Sequence, residues 1–354
     1  MKTLNTYATH FCGVGGACYG IESAGLKCNL AIDFNPVAVE YREKNLGHKA
    51  LLMDIAKYKP DPSHAADILW TSPSCQSFST SAREQVIRNF MKHKKEICGE
   101  DIRNNLFLSS VNYCMHFQPR FFVLENVRGM LTHSDDGENT IHKIMAMFKD
   151  AGYYCEWNIF NSMNWNLPQK RYRVIIVGSL GGKHKGLIPV EPYPNPTCKF
   201  KDIREYHLTH LHWGAETYRT ALEKVKRTGI DIQVIMDDDV LPTLTCGFGG
   251  GATRKKTAIV DTTDKGVPFL RHPSVREGAR AQGFPDSWVW PDQKVDAWTL
   301  IGNAVSSPIA KTIIEHLQAL ESGDRPPCKT ELDRRLVSKE IREYGNDIPP
   351  KMTW

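Results

Sequence analysis

Short runs of apolar and β-branched residues recur through the first half of the chain. Each ends in a polar or glycine-rich turn, and helical spacing of apolar positions follows. The runs "NTYATHF", "NLAI", "KALLM", "DILWT" and "RFFVL" lead to Gly13, Asp33, Asp54, Cys75 and Glu125. Strands alternating with helices predict an α/β fold, a parallel sheet with helices on both faces. Helices are expected over 36 to 45, closed by Gly47, over 104 to 117, and over 140 to 151, closed by Gly152. In such sheets ligands bind outside the carboxyl ends of the strands, where these end residues fall. A last strong strand, "RYRVIIVG" (171 to 178), precedes a stretch rich in Gly, Pro, His and Lys, and helical spacing resumes near Ser307. The pattern divides the chain into a main domain over 1–182, a smaller loop-rich domain over 183–295, a return to the main domain over 296–320, and a surface extension over 321–354.

Composition narrows the class. With 354 residues, 41% hydrophobic and 24% charged, the chain reads as a soluble globular protein too long for one compact core. No apolar run approaches the roughly 18 residues of a membrane span, and the first residues lack a secretory segment, so an intracellular, cytoplasmic protein is expected. The ten cysteines include no Cys-x-x-Cys pair, which favours reduced thiols over a zinc ribbon or disulfide framework, and no metal site is expected. A formal charge of +5 permits a nucleic-acid partner without demanding one.

The loop "FCGVGGACYGIESAG" (11 to 25) lies between a strand and a helix. Its glycines let backbone approach a ligand, and the helix start offers free N–H groups, although many such loops simply turn. The next strand ends at Asp33-Phe34, where an acid can accept ribose hydroxyls and an aromatic can cover an adenine face. Asp54-Ile55, after the third strand, can read the adenine amino group. No Lys-Ser/Thr follows the glycines, so an adenosine ligand fits better than a bare phosphate.

Cys75 follows "DILW" in "TSPSCQSFS". A lone cysteine at a strand end is commonly a small core residue, and it becomes a nucleophile only as thiolate in an electropositive setting. Glu125-Asn126-Val127 ends the next strand on the same edge. Gln169 leads to Arg171 and Arg173, which alternation sends to one face, so thiol, carboxylate and guanidiniums can converge. Between Cys75 and the following helix, Ser81, Arg83, Arg88, Lys92, Lys94 and Lys95 suit a loop closing over phosphates; a solvated basic helix has the same composition.

From about residue 4 to 317 these motifs, in order, resemble the DNA cytosine-5 methyltransferase family. The carriers are Phe11-x-Gly13-x-Gly15-Gly16, Asp33-Phe34, Asp54, Cys75-Gln76-Ser77-Phe78-Ser79, Glu125-Asn126-Val127, Gln169-x-Arg171-x-Arg173, "RHPSVREGARAQGFPDSW" (271 to 288) and "IGNAVSSPIA" (301 to 310). The resemblance implies a Rossmann-like S-adenosylmethionine-dependent methyltransferase fold, with a mostly parallel sheet and a small target-recognition domain over 183–295. It implies S-adenosyl-L-methionine held by Phe11, Gly13, Gly15, Gly16, Asp33, Phe34, Asp54, Ile55, Pro73, Asn303 and Val305. It also implies Cys75, Glu125, Arg171 and Arg173 as the catalytic set. Ser74 replaces the proline usual before the nucleophile, Thr9 an acid usual before Phe11, and "AVSSP" the usual "AVPP".

The implied reaction is attack of the Cys75 thiolate on cytosine C6, with Glu125 at the N3 edge and Arg173 at the O2 carbonyl, while Arg171 supports Glu125 or the thiolate. The target atom is inaccessible inside a duplex, so the base is flipped out and the loop of Ser81 and Arg83 closes behind it. The segment 199–240 before "LPTLTCGFGGG" is short, which favours a simple recognition site. Lys224, Lys226, Arg227, Arg254, Lys255 and Lys256 are candidate phosphate contacts, and His207, His210 and His212 candidate base readers. The expected partner is double-stranded DNA, bound by a monomer, in a restriction-modification or other defence system. A tRNA-directed enzyme with the same thiol and a silent binding module are the alternatives.

Overall fold

The computed structural model describes residues 3–73, 106–135, 138–208, 231–246, 248, 255–263 and 265–329. Seven strands form its main sheet: β1 (Thr6–His10), β2 (Lys27–Asp33), β3 (Leu51–Leu52), β4 (Ile68–Thr71), β5 (Phe121–Val127), β8 (Tyr153–Asn161) and β9 (Tyr172–Leu180). Their order is β3-β2-β1-β4-β5-β9-β8. The first five run parallel, and β9 pairs antiparallel with both β5 and β8. This is the mostly parallel α/β sheet expected, with two departures. The run at 171–178 is reversed relative to its neighbour, and β8 is a further strand that the apolar pattern missed.

Strand alternation supplies both faces of the sheet. Tyr7, Ala31, Ile68, Phe121 and Ile175 pack with α1 (Gly16–Ser23) and α7 (Ser307–Ser322). Their neighbours Ala8, Leu30, Leu69, Phe122 and Ile176 pack with α3 (Phe107–Phe117) and α4 (Thr140–Asp150). Helix α2 (Pro36–Leu46) starts where the Asn35 side chain accepts from the Val37 and Ala38 N–H groups, and it stops at Gly47 with φ 76°. Helix α1 meets α7 closely because Gly20 has no side chain: a Cβ there would sit 2.2 Å from the Ser307 carbonyl oxygen.

A short hairpin joins β6 (Ser134–Asp135) to β7 (Glu138–Asn139), and a separate sheet joins β10 (Asp231–Ile235), β11 (Lys255–Thr262) and β12 (Pro268–Arg271). Helices α5 (Val275–Ala281) and α6 (Lys294–Asn303) follow, so helical structure resumes before Ser307. A third apolar cluster, including Ile235, Ile259, Ala281 and Ile301, connects this part to Val14 and Ala38 of the main domain. The segment after Glu321 is not wholly a surface extension. Lys329 donates its backbone N–H to the Ile188 carbonyl at 2.7 Å, and its buried ammonium pairs with Glu191.

The small sheet is anchored by a buried guanidinium. Arg271 donates through Nε to Asp261 at 2.6 Å and through both terminal nitrogens to Glu277 at 2.6 and 2.8 Å. Arg271→Met takes the cation from the buried Glu277 and leaves Asp261 with Arg204 alone, and should cost roughly 3–5 kcal/mol, measured by urea unfolding.

Candidate active site at the carboxyl edge of the sheet

The strand order reverses at β1, which has β2 on one side and β4 on the other. A crevice opens beyond the carboxyl ends at such a point. Past His10 the backbone turns through positive φ at Phe11 (59°), Gly13 (53°) and Gly15 (95°). For Phe11, which carries a side chain, this left-handed conformation is costly, and such strain concentrates at ligand sites. The turn is held by Asp33, whose Oδ2 accepts from the Gly13 N–H at 2.8 Å and whose Oδ1 accepts from the Asn35 N–H at 2.9 Å. Burial raises the Asp33 carboxyl above its ordinary pKa, against the opposing pull of the Asn35, Gly13 and Phe34 N–H groups.

Beside this buried carboxylate the Phe34 ring is 69% exposed, an uncovered aromatic face next to an acceptor. Met53 N–H donates to the Asp33 carbonyl at 3.0 Å, bringing Asp54 alongside, and Asp54 caps the turn Ile55–Lys57 by accepting from Ala56 N–H at 3.0 Å. Across the loop, a Cβ on Gly16 would meet the Val305 carbonyl oxygen at 2.3 Å, so the loop after α6 lies directly on the start of α1. Val305 is buried and Asn303 exposed. A glycine turn, a buried acid and an exposed aromatic fit the ribose and adenine of S-adenosylmethionine.

On the other side of β1, Glu125 and Arg173 meet. Glu125 lies inside β5, and antiparallel pairing sets Val127 opposite Arg173, leaving the Arg173 Nε 2.9 Å from Glu125 Oε1. Both side chains are largely buried, at 13% and 11% exposed for Arg173 and Glu125. Asn126 donates through Nδ2 to the Pro73 carbonyl at 3.2 Å, which fixes the chain just past β4. Cys75 comes two residues later and lies outside the described residues, as do Ser81, Arg83, Arg88, Lys224, Arg227 and Arg254. Lys255 belongs to β11 by its backbone. His207 Nδ1 lies 3.0 Å from the Thr262 carbonyl oxygen, while His210 and His212 lie outside the described residues.

Arg171, one residue before β9, is anchored on backbone. Its terminal nitrogens donate to the carbonyls of Leu244 (2.8 Å), Gly302 (3.0 Å) and Ala304 (2.9 Å), and the ion pair with Glu125 belongs to Arg173 instead. Gln169 likewise serves backbone, donating to the Ala281 carbonyl at 3.0 Å and accepting from the Leu244 N–H at 2.9 Å. Alternation pointed both arginines one way, but Arg171 precedes the first residue of β9. The sequence reading also missed a buried cluster of His10, Ser110 and Thr71, whose members come from three distant segments.

The model of the C-5 cytosine-specific DNA methylase family matches residues 8–319, and the chain belongs to that family. It is an S-adenosylmethionine-dependent DNA cytosine-5 methyltransferase. The chain is 26% identical over 348 residues to the Type II methyltransferase M.DsaV of Dactylococcopsis salina, covering 95% of this chain and 93% of that protein. It is 28% identical over 344 residues to M.HpaII of Haemophilus parainfluenzae, covering 88% and 90%. Among solved structures, the Dnmt2 methyltransferase of S. pombe shares the fold with a TM-score of 0.67 at 19% identity, over 90% of this chain and 99% of that one. The methyltransferase EhMeth of Entamoeba histolytica does so at 0.68 and 15%, over 91% and 99%. Among the described residues no helix is long and apolar enough to cross a membrane.

Asp33→Asn tests the cofactor side. An amide has one acceptor oxygen where the carboxylate has two, so the Gly13 or Asn35 N–H loses its partner. Stability should fall by about 1–3 kcal/mol, and S-adenosylmethionine affinity, measured by calorimetry, should fall with it.

Proposed function

We propose that the protein methylates cytosine at C5 in double-stranded DNA through a covalent adduct with Cys75, on a base flipped out of the duplex, as the modifying half of a restriction-modification system. One observation carries this reading. The Glu125–Arg173 ion pair and the Asn126-held Pro73, two residues before Cys75, share an edge of the sheet with the Asp33-capped glycine turn. A pyrimidine placed there would meet a carboxylate and a guanidinium at the edge from which the chain runs on to Cys75.

Cytosine C5 is a weak nucleophile until C6 carries a new bond. Attack by the Cys75 sulfur at C6 moves the ring electrons to C5, and Glu125 at the N3 edge holds the proton that offsets the charge arising there. Arg173, already directed at Glu125, orients that carboxyl and stands near the base's O2. S-adenosylmethionine, when bound, supplies the methyl group as a sulfonium electrophile. Loss of the C5 proton to a base then expels Cys75 and restores the ring. Phe11, Gly13, Gly15, Gly16, Asp33, Phe34, Asp54, Ile55, Pro73, Asn303 and Val305 hold the cofactor.

Arg171, anchored on the carbonyls of Leu244, Gly302 and Ala304, completes the catalytic set in support of Glu125 or the Cys75 thiolate. Target recognition is assigned to 183–295, with Ser81, Arg83, Arg88, Lys224, Arg227, Arg254 and Lys255 on phosphates. The protein works as a monomer in the cytoplasm. The Type II names of its relatives support the restriction-modification role.

Transfer of labelled methyl from S-adenosylmethionine to duplex DNA and to tRNA tests the reading. Wild type should label DNA and leave tRNA unlabelled. Cys75→Ser should abolish transfer, and Glu125→Gln should slow it about 100-fold, the lower range for a general acid or base. Full activity in Cys75→Ser would refute the covalent route, and label on tRNA alone would reassign the substrate.

A further inference from the structure

His10 is the last residue of β1 and is completely buried. Its backbone pairs with Thr71 at the end of β4, and its carbonyl accepts from the Ser72 N–H at 3.4 Å. Its ring reaches the same place by a second path. Nδ1 is 3.3 Å from the Ser110 Oγ, which is 2.7 Å from the Thr71 Oγ1, and both hydroxyl side chains are buried. Tyr113 and Tyr58 set the ring edge-on at 5.1 and 6.1 Å between centroids.

The chain order gives these contacts their meaning. Thr71 stands just before the segment that carries Cys75, and Ser110, on α3, stands just after it. The Thr71–Ser110 hydrogen bond therefore ties together the two bases of that segment. His10 ties the pair to Phe11, the first residue of the glycine turn.

Packing alone does not call for a histidine here. A leucine would fill a buried strand position without any polar atom, whereas Nε2 of His10 finds no hydrogen-bond partner among the described residues. Burial pushes the imidazole pKa down to about 3, so the ring acts as a neutral hydrogen-bonding group. A buried polar group left half-satisfied costs stability, and one joined to two hydroxyls at the base of the segment points to a positional role.

We propose that His10, Ser110 and Thr71 form a positioning relay that sets the stem of the nucleophile segment in register with the cofactor turn. The inference rests on the reading of Cys75 as nucleophile. None of the three touches a reacting atom; they act through the placement of residues 71 to 73 and of Phe11.

Thr71→Val and Ser110→Ala remove single hydroxyls with little change of volume. Each should lower the single-turnover rate of methyl transfer about tenfold, the effect of one lost hydrogen bond, with the KM for S-adenosylmethionine within about twofold of wild type. Thr71→Ser, which keeps the hydroxyl, should retain the rate. The double variant Thr71→Val/Ser110→Ala should lose no more than the worse single variant, because both break one chain of contacts. A merely structural role would lower the melting temperature and leave the rate of the folded enzyme unchanged.

Hydrogen exchange at the Ser72 amide, read without substrate, separates the relay from the reaction. Exchange there should rise about tenfold in both single variants while β5 amides stay protected. Unchanged Ser72 exchange, or rates within twofold of wild type in every variant, overturns the relay. Should wild type transfer no methyl group, the functional reading falls, and the Ser72 exchange then decides the relay alone: a rise supports it and no change overturns it.

Discussion

A guanidinium in a dry interior needs hydrogen-bond acceptors for its donors, and Arg171 takes backbone carbonyls. Leu244 lies between β10 and β11, Gly302 belongs to α6, and Ala304 opens the turn into α7. One buried cation thus fastens three late segments to the residue before β9. Close packing follows from that anchor. A Cβ at Gly302 would meet the Thr245 carbonyl carbon at 2.2 Å, one at Gly16 the Val305 oxygen at 2.3 Å, and one at Gly20 the Ser307 oxygen at 2.2 Å. Three glycines permit what Arg171 requires, and Val305 reaches the glycine turn as a result.

The reversal of β9 matters as much as the arginine at its start. At roughly 3.3 Å per residue, the nine residues of β9 span about 30 Å. Run parallel to β5, the strand would carry Arg173 to the opposite end of the sheet from Glu125. Antiparallel pairing places the amino end of β9 beside the carboxyl end of β5, with Arg173 opposite Val127. The Glu125–Arg173 pair and the glycine turn then lie on either side of β1, whose residues neighbour both.

The parts legible in the sequence are those where one local signal sufficed. Runs such as "RFFVL" and the Asn35-Pro36 to Gly47 frame of α2 specify their elements without help from distant residues. Strand β8 escaped because "YYCEWNIFN" mixes Cys, Glu and Asn with its apolar residues, as befits the last strand of the sheet. Arg171 and Arg173 look equivalent in sequence and differ only in what surrounds them: backbone carbonyls from residues beyond 240 around one, and a carboxylate on β5 beside the other. His10 read as a strand end because its partners lie 61 and 100 positions away. Site residues supplied by long-range packing had no local signature to find.

Ser74 shows how such packing can answer a doubt raised by sequence. A proline before the nucleophile would fix the backbone angle there through its ring. This chain has serine at that position, but the residue before it is buried and restrained twice. Pro73 fixes its own φ, and its carbonyl accepts from Asn126 Nδ2 at 3.2 Å. One residue earlier, the Ser72 N–H is held by the His10 carbonyl. A ring at 73 and hydrogen bonds at 72 and 73 restrain the chain just before that position. The chain that leads to Ser74 and Cys75 is therefore held as far as Pro73.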